Sequence, residues 1–323
     1  VAGGGNITRL AALTAGLDEM IPAVTLDLQC GSALESITAA AAKIESGLAD
    51  LVIAGGFESS STQPVRMWNS NHPDYQEGKS YTVAKFIPDI QGEQVMLEGA
   101  EKTALTENVT KAEMDPWVLL SHKRAAQAAK EGILSDIQFS IADSKKDEGI
   151  RPSMSQRLLD RLPCLLPGGS IITAANACLM HDGAAFVVLC SEAYRKKHGL
   201  TPQAAFRFGT AIGSDPFMSP KTAVLAIRKL LKQTALSIDE IYSLEVNEAF
   251  AVIDVLLERE FPGIRERLNP LGGALAYGHP YGASGAIILL HLLKDLELNQ
   301  GRFGICGVAA AGGIGTALLV EKV

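Results

Sequence analysis

The sequence is short of aromatic residues, of paired cysteines and of long apolar runs. Phe, Trp and Tyr make up 6% of 323 residues, with two Trp. The core must therefore be filled by aliphatic side chains and close backbone contacts. The five cysteines are an odd number without framework spacing. That points to reduced thiols and a cytosolic protein. No His and Cys spacing suggests a zinc site. The strongest apolar run, Ala286-Ile287-Ile288-Leu289-Leu290, is soon broken by His291 and is far too short to span a bilayer. The opening residues do not read as a signal peptide. Positive charge is scarce too: 29 Lys and Arg stand against 36 Asp and Glu, a net charge of −7 with pI near 5.5. This argues against a nucleic-acid or anionic-membrane binder.

What is present is glycine, 31 residues of it, in an α/β pattern. Ala23-Val24-Thr25-Leu26 reads as a short strand. Leu28-Gln29-Cys30-Gly31-Ser32 follows. Leu34, Ile37, Ala41, Ile44 and Leu48 then recur at helix spacing. The run Leu51-Val52-Ile53-Ala54 predicts a buried strand, completing a parallel strand–helix–strand unit. Residues 59–168 are richer in charge, Pro, Asn and Gln, with one clear helix over 115–131, and read as an insertion over the surface. Strand 184–189 and a second half follow, with a strand at 203–210, a helix at 222–231 and a strand at 242–246. A glycine-dense turn, 278–285, opens a helix apolar on almost every side. Such a helix is buried all round. The Cys30 helix is similar, so the chain reads as a duplication with two central helices between two sheets.

Three polar residues stand at strand or helix ends: Cys30, Asn247 and His279. A cysteine before a helix N-terminus should have a lowered pKa. Histidine is its usual base, and an amide with glycine-turn N–H groups can bind an oxyanion. Each also has an ordinary reading. Cys30 could be a small buried hydrophobe, His279 could bond backbone carbonyls, and Asn247 could cap a helix starting near Glu248. His122 reads as a solvated helix face. Cys164, Cys178 and Cys190 read as packing residues.

Cys30-Gly31-Ser32, Asn247-Glu248-Ala249-Phe250, Gly278-His279-Pro280-Tyr281-Gly282-Ala283-Ser284-Gly285 and Gly312-Gly313-Ile314-Gly315 resemble the signatures of thiolases. Ser121-His122-Lys123-Arg124-Ala125 and Asn176-Ala177-Cys178 with Asp182-Gly183-Ala184-Ala185 resemble further family segments. The resemblance runs from end to end. It implies the thiolase fold: two duplicated halves, here 1–192 and 193–323, layered αβαβα, with a loop domain inserted at about 59–168. It implies acyl transfer to and from coenzyme A, or ketoacyl-CoA thiolysis, through an acyl-cysteine. By this resemblance Cys30 is the nucleophile and His279 activates it. Asn247 holds a water in one oxyanion hole, and the backbone N–H groups of Cys30 and Ala311 form the second. It implies no metal or resident cofactor, acyl-CoA as the small-molecule substrate, and a homodimer or homotetramer.

The chain departs from the family in three places. Ala309 stands where the second catalytic cysteine is expected, and alanine cannot move a proton. Cys306 is three residues away and, on a strand, faces the other side. Ala211 replaces a serine common near the coenzyme A. The family's first strand–helix–strand unit is expected to be absent, which would take strands from the first sheet. Acyl transfer, decarboxylative condensation or hydrolysis without Claisen proton transfer is therefore an alternative activity. A weakened paralogue that only binds CoA esters is another.

Overall fold

The computed structural model describes residues 5–88, 90, 92–141, 144 and 146–323. Glycines 3 and 4, part of the opening glycine run, lie outside them. In chain order the helices and strands are α1 (Ile7–Thr14), α2 (Ser32–Glu45), β1 (Leu51–Glu58), α3 (Val95–Thr106), α4 (Lys111–Glu131) and α5 (Gln156–Leu159). Then come β2 (Gly183–Cys190), α6 (Glu192–His198), β3 (Ala204–Gly213), α7 (Thr222–Thr234), β4 (Ile241–Val246), α8 (Val252–Glu260), α9 (Ala274–Tyr277), α10 (Ser284–Asn299), β5 (Phe303–Ala310) and β6 (Ile314–Lys322).

Two sheets enclose the central helices. β1 and β2 form an antiparallel pair, and the second sheet runs β3-β6-β5-β4 with β4 and β5 parallel. Both α2 and α10 touch both sheets and each other. Their contact is close because Gly285 has no side chain: a Cβ there would lie 2.5 Å from the backbone N of Leu34. On the far side of the second sheet, α7 packs on β3, β5 and β6, and α8 packs on α7. The outer face of β1 and β2 carries exposed Leu51, Ile53, Phe186 and Val188.

Three expectations change. Residues 23–26 are not a strand, and Val24 and Leu26 are exposed. Among the described residues β1 pairs with β2 only, antiparallel, and no strand pairs with 23–26, so the parallel unit does not form. The helix read at 115–131 starts earlier, at Lys111. Thr110 and Glu113 close a capping box there, and Pro116 lies inside the helix, where it leaves the Ala112 carbonyl without its usual helical donor. Nor does the segment 59–168 stay on the surface. Ala100, Ala104, Met114, Trp117 and Val118 are buried in one cluster with Ile227, Val246 and Leu257, because α3 and α4 pack on α8.

Strand alternation sorts β5. Cys306, Val308 and Ala310 belong to the cluster of the central helices, whereas Ile305 and Ala309 belong to the cluster on the α7 side. Cys306 and Ala309 thus face opposite ways. Among the described residues no helix is long and apolar enough to cross a membrane.

Candidate active site

Cys30 lies in a tight turn just before α2. The N–H of Gly31 donates to the carbonyl of Leu28 at 3.0 Å, and that of Ser32 to the carbonyl of Gln29 at 3.0 Å. Gln29 takes φ +52°, an uncommon conformation for a residue with a side chain. The Ser32 hydroxyl holds the turn, donating to the Gln29 carbonyl at 2.6 Å and accepting from Leu28 N–H at 2.8 Å. The result is a buried thiol, 8% exposed, one residue ahead of the helix cap Gly31.

The backbone N–H groups of Ala311 and of Cys30 itself favour its anion. Burial outweighs them, with Glu58 and Asp27 adding repulsion, so the thiol is pushed up to about 11. The lowered pKa expected from helix position is therefore not found. Desolvation disfavours a charge more than the dipole supports it.

His279 arrives from the loop between α9 and α10, 1% exposed. Burial pulls its pKa down to about 3, so it is a neutral imidazole. Its Nδ1 is 2.6 Å from Ser284 Oγ, and Ser284 Oγ donates to the Pro280 carbonyl at 2.9 Å. A hydroxyl has one proton, so Ser284 must accept from Nδ1–H, and the free lone pair is on Nε2. That lone pair faces Asn247 Nδ2 at 3.3 Å.

Asn247 continues the β4 ladder, its N–H donating to the Gly307 carbonyl at 3.0 Å. It is not a helix cap, since α8 begins five residues later at Val252. Its Oδ1 is buried with no partner among the described residues, an acceptor open to a water or a ligand. Glu248 braces this turn from below. It accepts from Ser121 Oγ at 2.6 Å, Asn269 Nδ2 at 3.0 Å and Leu275 N–H at 3.2 Å.

Sequence reasoning missed two residues. His122 is not solvated but 4% exposed, its Nδ1 accepting from Arg151 N–H at 3.2 Å. Ser284 orients His279, and its place five residues on in the same glycine loop was the available signal. Cys178, read as a packing residue, does pack against the larger core cluster, and its charge would also be raised in energy by that of Cys30. Among the described residues no group of three or more His, Cys, Asp and Glu could hold a metal. All five cysteines are free.

Residues 2–193 match the family "Thiolase, N-terminal domain" and residues 200–322 match "Thiolase, C-terminal domain". The chain belongs to the thiolase family.

Among this thiolase's relatives is a steroid 3-ketoacyl-CoA thiolase of Mycobacterium tuberculosis. It is 34% identical over 324 residues, covering 98% of this chain and 79% of the relative. A beta-ketoadipyl-CoA thiolase of Escherichia coli is 33% identical over 336 residues, covering 98% and 84%. The fold also matches the crystal structure of the Bacillus anthracis acetyl-CoA acetyltransferase, with TM-score 0.91 and 31% identity, covering 100% and 84%. Human mitochondrial 3-ketoacyl-CoA thiolase in complex with CoA matches with TM-score 0.89 and 30% identity, covering 98% and 82%. The thiolase fold and membership of an acyltransferase family are thus established for this chain.

Proposed function

We propose that this thiolase transfers acyl groups from acyl-CoA or 3-ketoacyl-CoA through an acyl-cysteine at Cys30. The observation that supports the reading is a buried Cys30 thiol whose anion the N–H groups of Ala311 and of Cys30 itself favour, together with a buried His279 whose bond to Ser284 leaves its lone pair on Nε2. The resting pair is a thiol and a neutral imidazole, because burial penalises either charge. Cys30 passes its proton to Nε2 of His279 as its sulfur attacks the thioester carbonyl. The N–H groups of Cys30 and Ala311 receive one oxyanion, and Asn247 with His279 receives the other through a water. The departing coenzyme A sulfur takes the proton back from His279. Coenzyme A is a substrate, no resident cofactor is needed, and the setting is cytoplasmic, with the chain acting as a homo-oligomer.

Ala309 favours a second reading for the carbon chemistry. With no thiol at the end of β5, acylation proceeds while Claisen condensation and thiolysis are slow. Acyl transfer or hydrolysis then becomes the main activity. Intact-mass spectrometry after incubation with acetyl-CoA tests the acyl-cysteine. One acetyl group, mapped to Cys30 and absent in Cys30→Ala, is expected. A chain that binds acetyl-CoA without acetylation is a CoA-ester binder and not an acyltransferase.

A further inference from the structure

The alanine at 309 leaves the carbon-carbon half-reaction without a proton source, yet a second thiol stands at the site. Residues 176–180 run between the Asn247 turn and the His279 loop. Ala177 bridges Phe250, and Cys178 N–H donates to the Ala249 carbonyl at 3.0 Å. Two residues on, Met180 bridges His279, and His279 N–H donates to the Leu179 carbonyl at 2.8 Å. The backbone thus ties Cys178 to both motifs at once.

Its side chain packs against the large cluster that contains Ala309, whereas Cys30 and Cys306 both belong to the cluster of the central helices. Tyr281, edge-on to His279 with ring centroids 4.8 Å apart, feels the charge of both Cys178 and Cys30. Cys178 is half-buried, and Leu179 and Met180 beside it are exposed. The segment therefore leads from the buried site to the surface. At the same place the buried Oδ1 of Asn247 lacks a donor among the described residues, so the site has polar capacity that a ligand or water must meet. Cys306 lacks these relations. It is fully buried mid-strand, paired across to Glu245 and Leu318, and it is Glu245 that acts on its charge.

We propose that Cys178 is the catalytic thiol that gives and takes the α-proton of acyl-CoA, in place of the residue at 309. This rests on the acyl-cysteine reading. In thiolysis the Cys30 sulfur adds to the C3 carbonyl of 3-ketoacyl-CoA. The C2–C3 bond breaks and its electron pair goes to C2. Cys178 S–H delivers its proton to C2, releasing acetyl-CoA and leaving a thiolate at 178. Incoming coenzyme A gives its thiol proton to that thiolate and its sulfur takes the acyl group from Cys30, whose departing thiolate recovers the proton that His279 took from it. Cys178 ends as it began. Burial keeps it protonated between turnovers, which suits a donor.

The test follows exchange of the acetyl-CoA methyl protons in D2O by NMR, beside acetylation of Cys30 by mass spectrometry. The unmodified protein is expected to exchange. Cys178→Ala and Cys178→Ser should each lose exchange by about 100-fold or more, the scale of positioned acid–base catalysis. Acetylation should fall far less. Adding Ala309→Cys to Cys178→Ala should restore exchange. Exchange that is undetectable in the unmodified protein, unchanged in Cys178→Ala, or recovered by Cys178→Ser overturns the assignment, the last because serine would then be restoring packing. Absence of Cys30 acetylation in the unmodified protein is a different result, and it removes the acyl-cysteine reading itself.

Discussion

Ser284 decides which nitrogen of His279 is the base. Its hydroxyl donates to the Pro280 carbonyl and accepts from Nδ1–H at 2.6 Å, leaving the lone pair on Nε2. Without that acceptor the ring can bind its proton at either nitrogen and can turn.

Ser284→Ala should therefore lower kcat by about 10- to 100-fold, below the full 10²–10⁴ that general acid–base catalysis contributes. KM should move little, because Ser284 is 3% exposed and buried beneath the ring. Ser284→Thr, which keeps the hydroxyl, should recover much of the loss. A variant that raises KM and leaves kcat intact would place Ser284 in substrate binding instead.

Acylation should be nearly flat between pH 5.5 and 9. His279 is held near 3 and Cys30 near 11 by burial, so neither changes charge in that range. An ordinary histidine would give a limb near 6.5. The check is the single-turnover rate of Cys30 acetylation against pH. A limb between pH 6 and 7 would mean that the imidazole is far better solvated.

Much of this was legible in the sequence. Glycine turns mark close approaches and helix entries, and local spacing alone carries that signal, so the 278–285 turn and the placing of Cys30 before α2 were readable. The protonation of Cys30 was not. Helix position is written in the local pattern, but desolvation depends on β6 and the 311 turn closing over the sulfur from far along the chain. The strand read at 23–26 failed for a similar reason: propensity names a strand, but a strand exists only with a neighbour to bond. His122 misled because its charged neighbours Lys123 and Arg124 suggest solvent, while the ring turns inward beneath Arg151.

Stability should fall as pH drops below 6.5. His122, His279 and His291 are held neutral by burial, at about 4, 3 and 4. Below 6.5 the unfolded chain binds protons that the native state refuses. Each histidine then costs up to about 1.4 kcal/mol per pH unit until its folded pKa is reached. Glu245 and Asp254 act in the opposite sense. They are fully buried, their oxygens have no partner among the described residues, and their pKa values are raised by burial first. They weaken the fold as pH rises above the ordinary carboxylate range. Urea denaturation of His291→Gln should show a shallower loss between pH 6.5 and 4. An unchanged slope would show that His291 takes up its proton in the native state.

With Cys178 already supplying the α-proton, Ala309→Cys alone should raise thiolysis little and should leave Cys30 acetylation close to its starting rate; a gain of about 10-fold or more would show that Cys178 does not serve. Ala309 is 4% exposed, so the added sulfur carries a packing cost of about 1–3 kcal/mol. Thermal melting should accompany the kinetics. No gain from a folded variant would show that the proton is already supplied elsewhere.

The pieces around the Cys30 sulfur are far apart in the chain: the thiol at 30, the amide at 247, the imidazole at 279 and the second N–H at 311. On the ribosome the nucleophile is made first. At about 5–20 residues per second, its last partner follows on the order of 15–60 s later. Over that interval Gly285 has not yet met Leu34, and α2 has neither its companion helix nor the second sheet. A nascent chain thus carries the thiol without the means to acylate it. The chemistry switches on only when β5 and β6 have closed over α2, which ties reactivity to completion of the second sheet.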